Sequence, residues 1–564
     1  MCGIFYTRAS PTSSVVASSR TLMPRGPDES REISIDEHFF AFHRLRINDL
    51  SSSGMQPWVC QDYVFMCNGE IYNSNELRSK LSNVQFQSNS DCEVVPHLIL
   101  RFGIETALSM IQGVFAFVFL HRPTRRVFIA RDAIGIKSLY VGIRDDEVFI
   151  EDTSSTDEMT GILCHEKYGD KPIVVASEMK AIHSICQEGS ITQFPAGHYY
   201  DSTVHTLTQW APLRWNPRPC ESVASWAGDV GNIRESIRNL LTEAVRVRLE
   251  TSDRPVGCFL SGGLDSSLVA AIAAKMVRER SIGKQKIKTF SVGIKGATDL
   301  DAAAKVAKWI GSEHHQLILS EKDMLRAVPQ TIKRIESYDV TTVRASAPMV
   351  ILSDYIKLNF DTTVLFSGEG ADELSGSYKY FQNAPTPEKF QKESVRLVQD
   401  LQYFDVLRCD KSVSGSGLEA RTPFFDMNFV NFYMRINPTL KLWSGGAANA
   451  IEKQLLRDSF KPREGKRGLL PPELLYRRKE AFSDGCSSME RPWFKVIDDH
   501  VNAHISDQEY KERRMQFSIN RPISKEGYWF RAIYEKFYPG RGAVVPYIWR
   551  PKWTNETNPS ARLL

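Results

Sequence analysis

The sequence predicts two domains: an α+β domain built on antiparallel sheets, followed by an α/β domain on a parallel sheet with crossover helices. Three observations predict it. Residues 1–205 carry short β-type runs punctuated by Gly, Pro, Asn and Asp. From about residue 231 apolar residues take up a helical period, and strands then alternate with helices, the pattern of a parallel sheet. Between the first such strand and helix lies Ser-Gly-Gly-Leu-Asp-Ser-Ser at 261–267, a turn rich in glycine and hydroxyls.

In chain order, β-type runs fall at 64–66, 114–120, 127–130 and 148–150. An acidic stretch at 151–171 follows as an insertion, read as a disordered loop, with a regulatory or partner-binding loop as the alternative. Residues 206–230, with Trp210, Trp215 and Trp226 and no clear period, read as a connector. Ile233, Ile237, Leu240, Leu241, Ala244 and Val245 mark one face of a helix. Strands are then predicted at 256–260, 287–293, 316–319 and 363–366, with helices at 266–278 and 299–310. Beyond 385 the chain reads as mainly helical, and 542–564 as a surface tail. The expected boundaries are therefore 1–205, 206–230, 231–541 and 542–564.

Composition excludes several classes. With 71 basic against 67 acidic residues in 564, the net charge of +4 gives no argument for nucleic-acid binding. No apolar run approaches bilayer-spanning length, and no signal segment opens the chain, so no membrane partner is expected. Ten cysteines without a C-x-x-C pair indicate neither a zinc site nor a disulfide framework. A cytoplasmic enzyme is the expectation.

The turn at 261–267 carries the most chemistry. Glycines let backbone approach an anion closely, and successive N–H groups at a helix start form a positively polarised cup. Ser261, Ser266 and Ser267 add donors, and Asp265 can hold a divalent cation against phosphates. No G-x-x-x-x-G-K-[ST] occurs, so this is a pyrophosphate-type loop implying ATP cleaved between its α and β phosphates.

A second constellation sits at the N-terminus, Met1-Cys2-Gly3-Ile4-Phe5. Removal of Met1 would leave Cys2 with a free amine beside its thiol. The two titrate near ~7.7–8.0 and ~8.5, so the amine can act as general base for its own side chain. Arg25-Gly26-Pro27-Asp28, His43-Arg44-Leu45, Cys67-Asn68-Gly69-Glu70-Ile71-Tyr72-Asn73 and Ser90-Asp91 follow in order. Asn68 and the Gly69 N–H suit an oxyanion hole; Arg44 suits a substrate carboxylate and Asp91 a substrate ammonium.

These residues resemble the class II, N-terminal-nucleophile glutamine amidotransferases, and the 261–267 loop resembles the ATP-pyrophosphatases. Their combination over essentially the whole chain resembles the glutamine-hydrolysing asparagine synthetases. Supporting motifs are Asp339-Val-Thr-Thr-Val-Arg-Ala-Ser346, Ser367-Gly-Glu-Gly-Ala-Asp-Glu373, Gly417-Leu-Glu-Ala-Arg-Thr-Pro-Phe424 and Arg478-Lys-Glu-Ala-Phe-Ser-Asp-Gly485.

The resemblance implies an αββα sandwich joined to a doubly wound parallel sheet of the adenine-nucleotide α-hydrolase type. It implies Cys2 as nucleophile, Asn68 and Gly69 as oxyanion donors, and Arg44, Leu45, Arg46, Ile47, Asn48, Asn68, Gly69, Glu70 and Asp91 as the glutamine pocket. It places Phe259, Ser261, Gly262, Gly263, Asp265, Ser266, Ser267, Val292, Ser367 and Gly368 on ATP, and Asp265 and Asp372 on Mg2+. Glu369 is expected to serve acyl-adenylate formation, with Arg344 and Lys479 as cations near the phosphates. The substrates implied are aspartate, glutamine and ATP; for assembly the resemblance suggests a homodimer.

Bland alternatives stay open. Arg344 can simply pair with Asp339 or a sheet-edge carboxylate, Arg477 and Arg478 read as a solvated basic face, Glu373 is undecided between aspartate binding and helix capping, and Ser483 and Asp484 read as turn residues. Pro24, Ser138, Phe259, Thr422 and the 151–171 insertion depart from the family's usual pattern. A β-lactam-forming relative, which would typically lack Cys2, and a non-catalytic scaffold are the competing readings.

Overall fold

The computed structural model describes residues 1–8, 10–144, 173–213, 215, 230–443, 451–556, 558–560 and 562. The expected run at 148–150, the insertion at 151–171 and most of the connector lie outside the described residues. The chain divides into two units. The first comprises Met1–Leu213, Val413–Glu419 and Tyr534–Pro546; the second comprises Arg214–Ser412, Ala420–Ile533 and Tyr547–Leu564.

The first unit holds twelve described strands in two six-stranded sheets. They are β1 (Gly3–Thr7), β2 (Glu29–Ile35), β3 (His38–Arg44), β4 (Trp58–Val59), β5 (Tyr63–Ile71), β6 (Gly113–His121), β7 (Arg126–Arg131), β8 (Tyr140–Ile143), β9 (Ile173–Ala176), β10 (Thr192–Gln193), β11 (His198–Asp201) and β12 (Thr206–Gln209). Their orders are β10-β8-β9-β1-β3-β2 and β12-β11-β7-β6-β5-β4, with antiparallel pairing throughout. Side chains alternate between faces with period two. Val64, Met66, Ala116, Val118 and Leu120 thus join Ile4, Tyr6, Phe40 and Phe42 in the core between the sheets. Phe65, Cys67, Phe115, Phe117 and Phe119 pack on the opposite side. There they meet the apolar faces of α2 (Ser74–Lys80), α3 (Val94–Phe102) and α4 (Ile104–Met110), represented by Leu77, Leu98 and Leu108. Strands buried on both faces explain the unbroken apolar run at 114–120. Helix α1 (Ser13–Arg20) lies against β3, where His43 Nε2 and the Ser19 carbonyl are 2.9 Å apart. The layers run helix, sheet, sheet, helix. Residues 206–209, expected in the connector, are instead edge strand β12, paired from Thr206 to Gln209 with β11.

The second unit is α/β. It contains α5 (Val230–Glu250), β13 (Val256–Phe259), α6 (Leu264–Arg280), β14 (Lys288–Ile294), α7 (Thr298–Ile310), β15 (Glu313–Leu319), α8 (Glu321–Ile335), α9 (Val340–Asn359) and β16 (Val364–Phe366). Helices follow the rest, with one short strand, β17 (Glu419–Arg421), completing the order β15-β14-β13-β16-β17. β13 to β16 are parallel. The chain steps outward from β13 to β15, then returns to β16 on the other side of β13. That reversal leaves a crevice beyond the carboxyl ends of β13 and β16, where ligands bind in open α/β sheets. The tail is anchored to the unit: Ser560 is buried, and the half-buried Trp549 and Trp553 pack against the cluster of Tyr380, Phe381 and Phe390. Rings of this size bury enough apolar surface to fix a segment lacking regular structure.

Candidate active site

In the second unit, the loop after β13 and the loop after β16 meet in one cavity. Ser261, Gly263, Asp265 and Ser266 line it from the first loop, and Ser367, Gly368, Glu369 and Asp372 from the second. Their approach is so close that a Cβ on Gly368 would lie 2.5 Å from the Ser266 nitrogen. The first loop is internally braced: Ser261 N donates to Ser266 Oγ at 3.2 Å and Gly263 N to Ser261 Oγ at 3.3 Å. Helix α6 has Gly263 as its N-cap, with no side-chain cap, leaving its first N–H groups for an anion. Gly262 is not in the cavity wall. It adopts φ +74°, and a Cβ there would meet the Ala303 nitrogen of α7 at 2.4 Å, so glycine shapes the turn from behind. Ser267, expected as a donor, is buried in α6 outside the wall because the helix carries it past the phosphate-facing turn.

Phe259 and Val292 line the apolar part of the cavity with Met349 and Leu352. Glu369 is gripped by Arg408, with Nη1–Oε1 2.9 Å and Nη2–Oε2 2.8 Å. Burial raises the Glu369 carboxyl above its usual range, against the opposing pull of Arg408. Lys453 bridges Asp265 at 2.5 Å and Asp372 at 2.6 Å. Lys479 bonds the other oxygen of Asp372. Burial disfavours the Lys479 ammonium, but Asp372 and Asp265 outweigh it and hold the group protonated. Asp372 is likewise held low by Lys453 and Lys479 in spite of its burial. Asp265 Oδ1 is buried with no hydrogen-bond partner, an acceptor aimed at something else.

Arg344 is a correction. It does not line the cavity; its Nε donates to Glu526 at 2.7 Å and its Nη1 to Asn558 Oδ1 at 2.8 Å. Its helix instead presents Thr341 and Ala345 to the cavity, three before and one after it. Arg477 and Arg478, read as a solvated face, both line the cavity, and Arg477 pairs with Asp299 at 2.9 Å. Glu373 lies in the first turn of the helix Ala371–Ser375 and accepts the Tyr378 hydroxyl. Sequence reading missed Arg408, Asp405 and Lys453. Arg408 and Asp405 share one turn of the helix Asp405–Ser414, and no motif marks that spacing. Lys453 sits at φ +58°, a strained conformation that no sequence pattern announces.

In the first unit, β1 delivers Cys2 against β5. The Cys2 nitrogen donates to Asn68 Oδ1 at 2.9 Å, and its Sγ lies 3.8 Å from the Leu45 carbonyl. Arg25 Nε donates to the Cys2 carbonyl at 3.1 Å while its Nη1 pairs with buried Glu178 at 2.7 Å. Asn68 Nδ2 is buried without a hydrogen-bond partner. An unpartnered donor beside a nucleophile is what an oxyanion hole requires. Gly69 follows on β5, where a Cβ would strike the Val114 carbonyl at 2.6 Å. Burial raises the Cys2 thiol, and Arg44 and the N-terminal charge only partly oppose it. With Met1 in place the α-amine belongs to Met1; it is buried and lowered to about 6.

The other expected pocket residues gather nearby. Asn48 Nδ2 donates to Glu70 Oε2 at 2.6 Å, and Ile71 N to Asp91 Oδ2 at 2.5 Å. Arg46 N donates to Asp28 at 2.9 Å, and Leu45 and Ile47 are buried. Arg44 donates to the carbonyls of Ser51, at 2.6 Å, and Asp49. Among the described residues no group of three or more His, Cys, Asp or Glu is arranged to hold a metal, and no helix is long and apolar enough to cross a membrane.

Fold and sites together are those of a two-part enzyme, an amidotransferase unit followed by a nucleotide-cleaving synthetase unit. Comparison with known proteins agrees. Residues 1–209 match the family described as glutamine amidotransferase domain, and residues 236–389 and 382–561 match asparagine synthase. The chain is 38% identical to the glutamine-hydrolysing asparagine synthetase of Cricetulus griseus, over 100% of this chain and 98% of that one. Those of Gallus gallus and Homo sapiens are 38% and 36% identical over the same shares. The chain belongs to the glutamine-hydrolysing asparagine synthetases.

Proposed function

We propose that this chain makes asparagine from aspartate, glutamine and ATP, giving glutamate, AMP and pyrophosphate. The observation that carries this reading is the convergence of the 261–266 loop, Glu369, Asp372 and Lys479 in one cavity, on a chain whose other unit sets Cys2 against the unpartnered amide of Asn68.

In the first unit, removal of Met1 turns the Cys2 nitrogen into an amine that stays on Asn68 Oδ1. The amine takes the proton of a thiol that burial keeps protonated, and the thiolate attacks the glutamine amide. Asn68 Nδ2 and the Gly69 N–H receive the oxyanion. The adduct then collapses to a thioester as the protonated amine gives its proton to the departing ammonia, and water hydrolyses the thioester to glutamate and free thiol. Arg44, Asn48, Glu70 and Asp91 fix the amino-acid end of glutamine, with Leu45, Arg46 and Ile47 shaping the pocket.

In the second unit, Phe259 and Val292 flank the adenine ring, and the loops at 261–266 and 367–368 receive the phosphates. A carboxylate resists ammonia because oxide is a poor leaving group, so the β-carboxylate of aspartate is first joined to AMP. Negative charge grows on the α-phosphate in that step; Lys479, held charged by Asp372, lies where it can stabilise it. Glu369, oriented by Arg408, serves acyl-adenylate formation and is then available to accept a proton from attacking ammonia. Asp265 and Asp372 suit Mg2+, which is usually held by one or two carboxylates plus phosphates, and Asp265 Oδ1 is the unpartnered acceptor. When bound, Mg2+ supplies charge neutralisation on the pyrophosphate. The reading includes assembly as a homodimer in the cytoplasm, which light scattering and fractionation measure. Its test is aspartate-dependent exchange of labelled pyrophosphate into ATP: exchange supports it, and none with Mg2+ and aspartate present contradicts it.

A further inference from the structure

Behind the synthetase cavity, the last described residues form a chain of contacts that none of the roles above uses. Asn558 Oδ1 receives Arg344 Nη1 at 2.8 Å and Ser560 N at 3.1 Å. Ser560 Oγ donates to Asp484 Oδ1 at 2.8 Å and accepts Arg562 N at 3.2 Å. The Arg562 guanidinium donates to the Ser488 carbonyl at 2.7 Å, the Ser487 carbonyl at 3.2 Å and Glu480 Oε2 at 3.3 Å. Ser560 and Asp484 are almost fully buried, so this bond is shielded from water.

The partners matter because of where they lie. Glu480 follows Lys479, lines the cavity, and also accepts Thr298 Oγ1 at 2.8 Å. Thr298 opens α7, and its neighbour Asp299 lines the same cavity and holds Arg477. Asp484 lies in the short helix Phe482–Gly485, whose Phe482 and Ser483 also line the cavity. Upstream, Trp549 N donates to Asp339 Oδ1 at 3.2 Å at the start of α9, and Trp549 packs edge-on to Tyr378, another lining residue, at 6.2 Å between centroids. The 558–562 residues therefore reach α9 and the 480–488 stretch directly, and α7 only through Glu480.

We propose that the Asn558–Ser560–Arg562 segment is a positioning brace for the nucleotide site, with Arg562 and Ser560 fixing the 479–484 segment so that Lys479 meets the phosphates. Arg562 is a positioning residue: it acts through Glu480 and the 487–488 carbonyls and touches no reacting atom. This rests on the reading of the cavity as an ATP site.

The test uses the full chain with Arg562→Ala, Arg562→Lys and Ser560→Ala, read by aspartate-dependent ATP–pyrophosphate exchange, glutaminase activity and melting temperature. Loss of one charged hydrogen-bonding group predicts that Arg562→Ala raises the KM for ATP about tenfold. Glutaminase activity stays at wild-type level, and Arg562→Lys recovers part of the loss by keeping charge on Glu480. Unchanged exchange parameters in both alanine variants overturn the proposal, as does a parallel fall of exchange, glutaminase and melting temperature. Hydrogen exchange at residues 479–488 needs no turnover: faster exchange there in Arg562→Ala upholds the brace, and an unchanged rate overturns it. Wild-type chain without pyrophosphate exchange would instead overturn the catalytic reading, leaving the brace to the hydrogen-exchange result.

Discussion

Arg408 holds Glu369 by both prongs of its guanidinium, at 2.9 and 2.8 Å, and one of the same nitrogens reaches Asp405 at 2.9 Å. The arginine orients the carboxylate and partly opposes burial, which still leaves the carboxyl above its usual range. Replacing it changes the pH at which synthesis fails. Glu369 serves as a carboxylate, so activity falls as pH drops through its pKa. Removing Arg408 leaves burial and the negative Asp405 opposed only by the more weakly acting Lys479, and raises that pKa further. Arg408→Gln should therefore move the acid limb of the synthesis rate to higher pH, while the pH profile of glutaminase stays put.

Glu369→Ala removes the carboxylate itself. Aspartate-dependent pyrophosphate exchange should be lost, with glutamine hydrolysis retained, as measured by glutamate release. Wild-type exchange in this variant would remove Glu369 from the adenylation site.

Asn68 offers a donor with no partner in the resting site. Asn68→Ala should lower the kcat of glutamine hydrolysis by about 10²–10³, the usual effect of losing one oxyanion donor. Ammonia-dependent synthesis should persist. The mature N-terminus carries the same logic: intact mass should show Met1 removed, because only then does Cys2 own an amine.

Gly368 and Gly262 close the phosphate loop from two sides. Alanine at 368 would place its Cβ 2.5 Å from the Ser266 nitrogen, and alanine at 262 would have to adopt φ +74° against the backbone of α7. Both should abolish ATP-dependent synthesis and leave glutaminase intact, measured on one preparation.

Much of this was legible in the sequence, for identifiable reasons. The runs at 64–66, 114–120 and 127–130 fall inside β5, β6 and β7 because strands buried on both faces cannot avoid continuous apolar residues. The strand–turn–helix at 256–280 was readable because glycine, serine and an apolar helix are each required locally. What escaped depends on distant pairing. Arg408 and Lys453 meet Glu369 and Asp265 only through the fold, across 39 and 188 residues. Arg344 carried a motif, yet its neighbours Glu526 and Asn558 are far along the chain and take it out of the cavity. The anchoring of the tail has no sequence signal, because aromatic packing and side-chain bonds, not periodicity, hold it.

The most direct test supplies aspartate, Mg·ATP and glutamine labelled with 15N in its amide to the wild-type chain and to Cys2→Ala. The account predicts 15N-asparagine with AMP and pyrophosphate in equal amounts from the wild type. From Cys2→Ala it predicts none with glutamine, but unlabelled asparagine when ammonia is added. Release of ADP and phosphate, or absence of asparagine from the wild type with either nitrogen source, would contradict it.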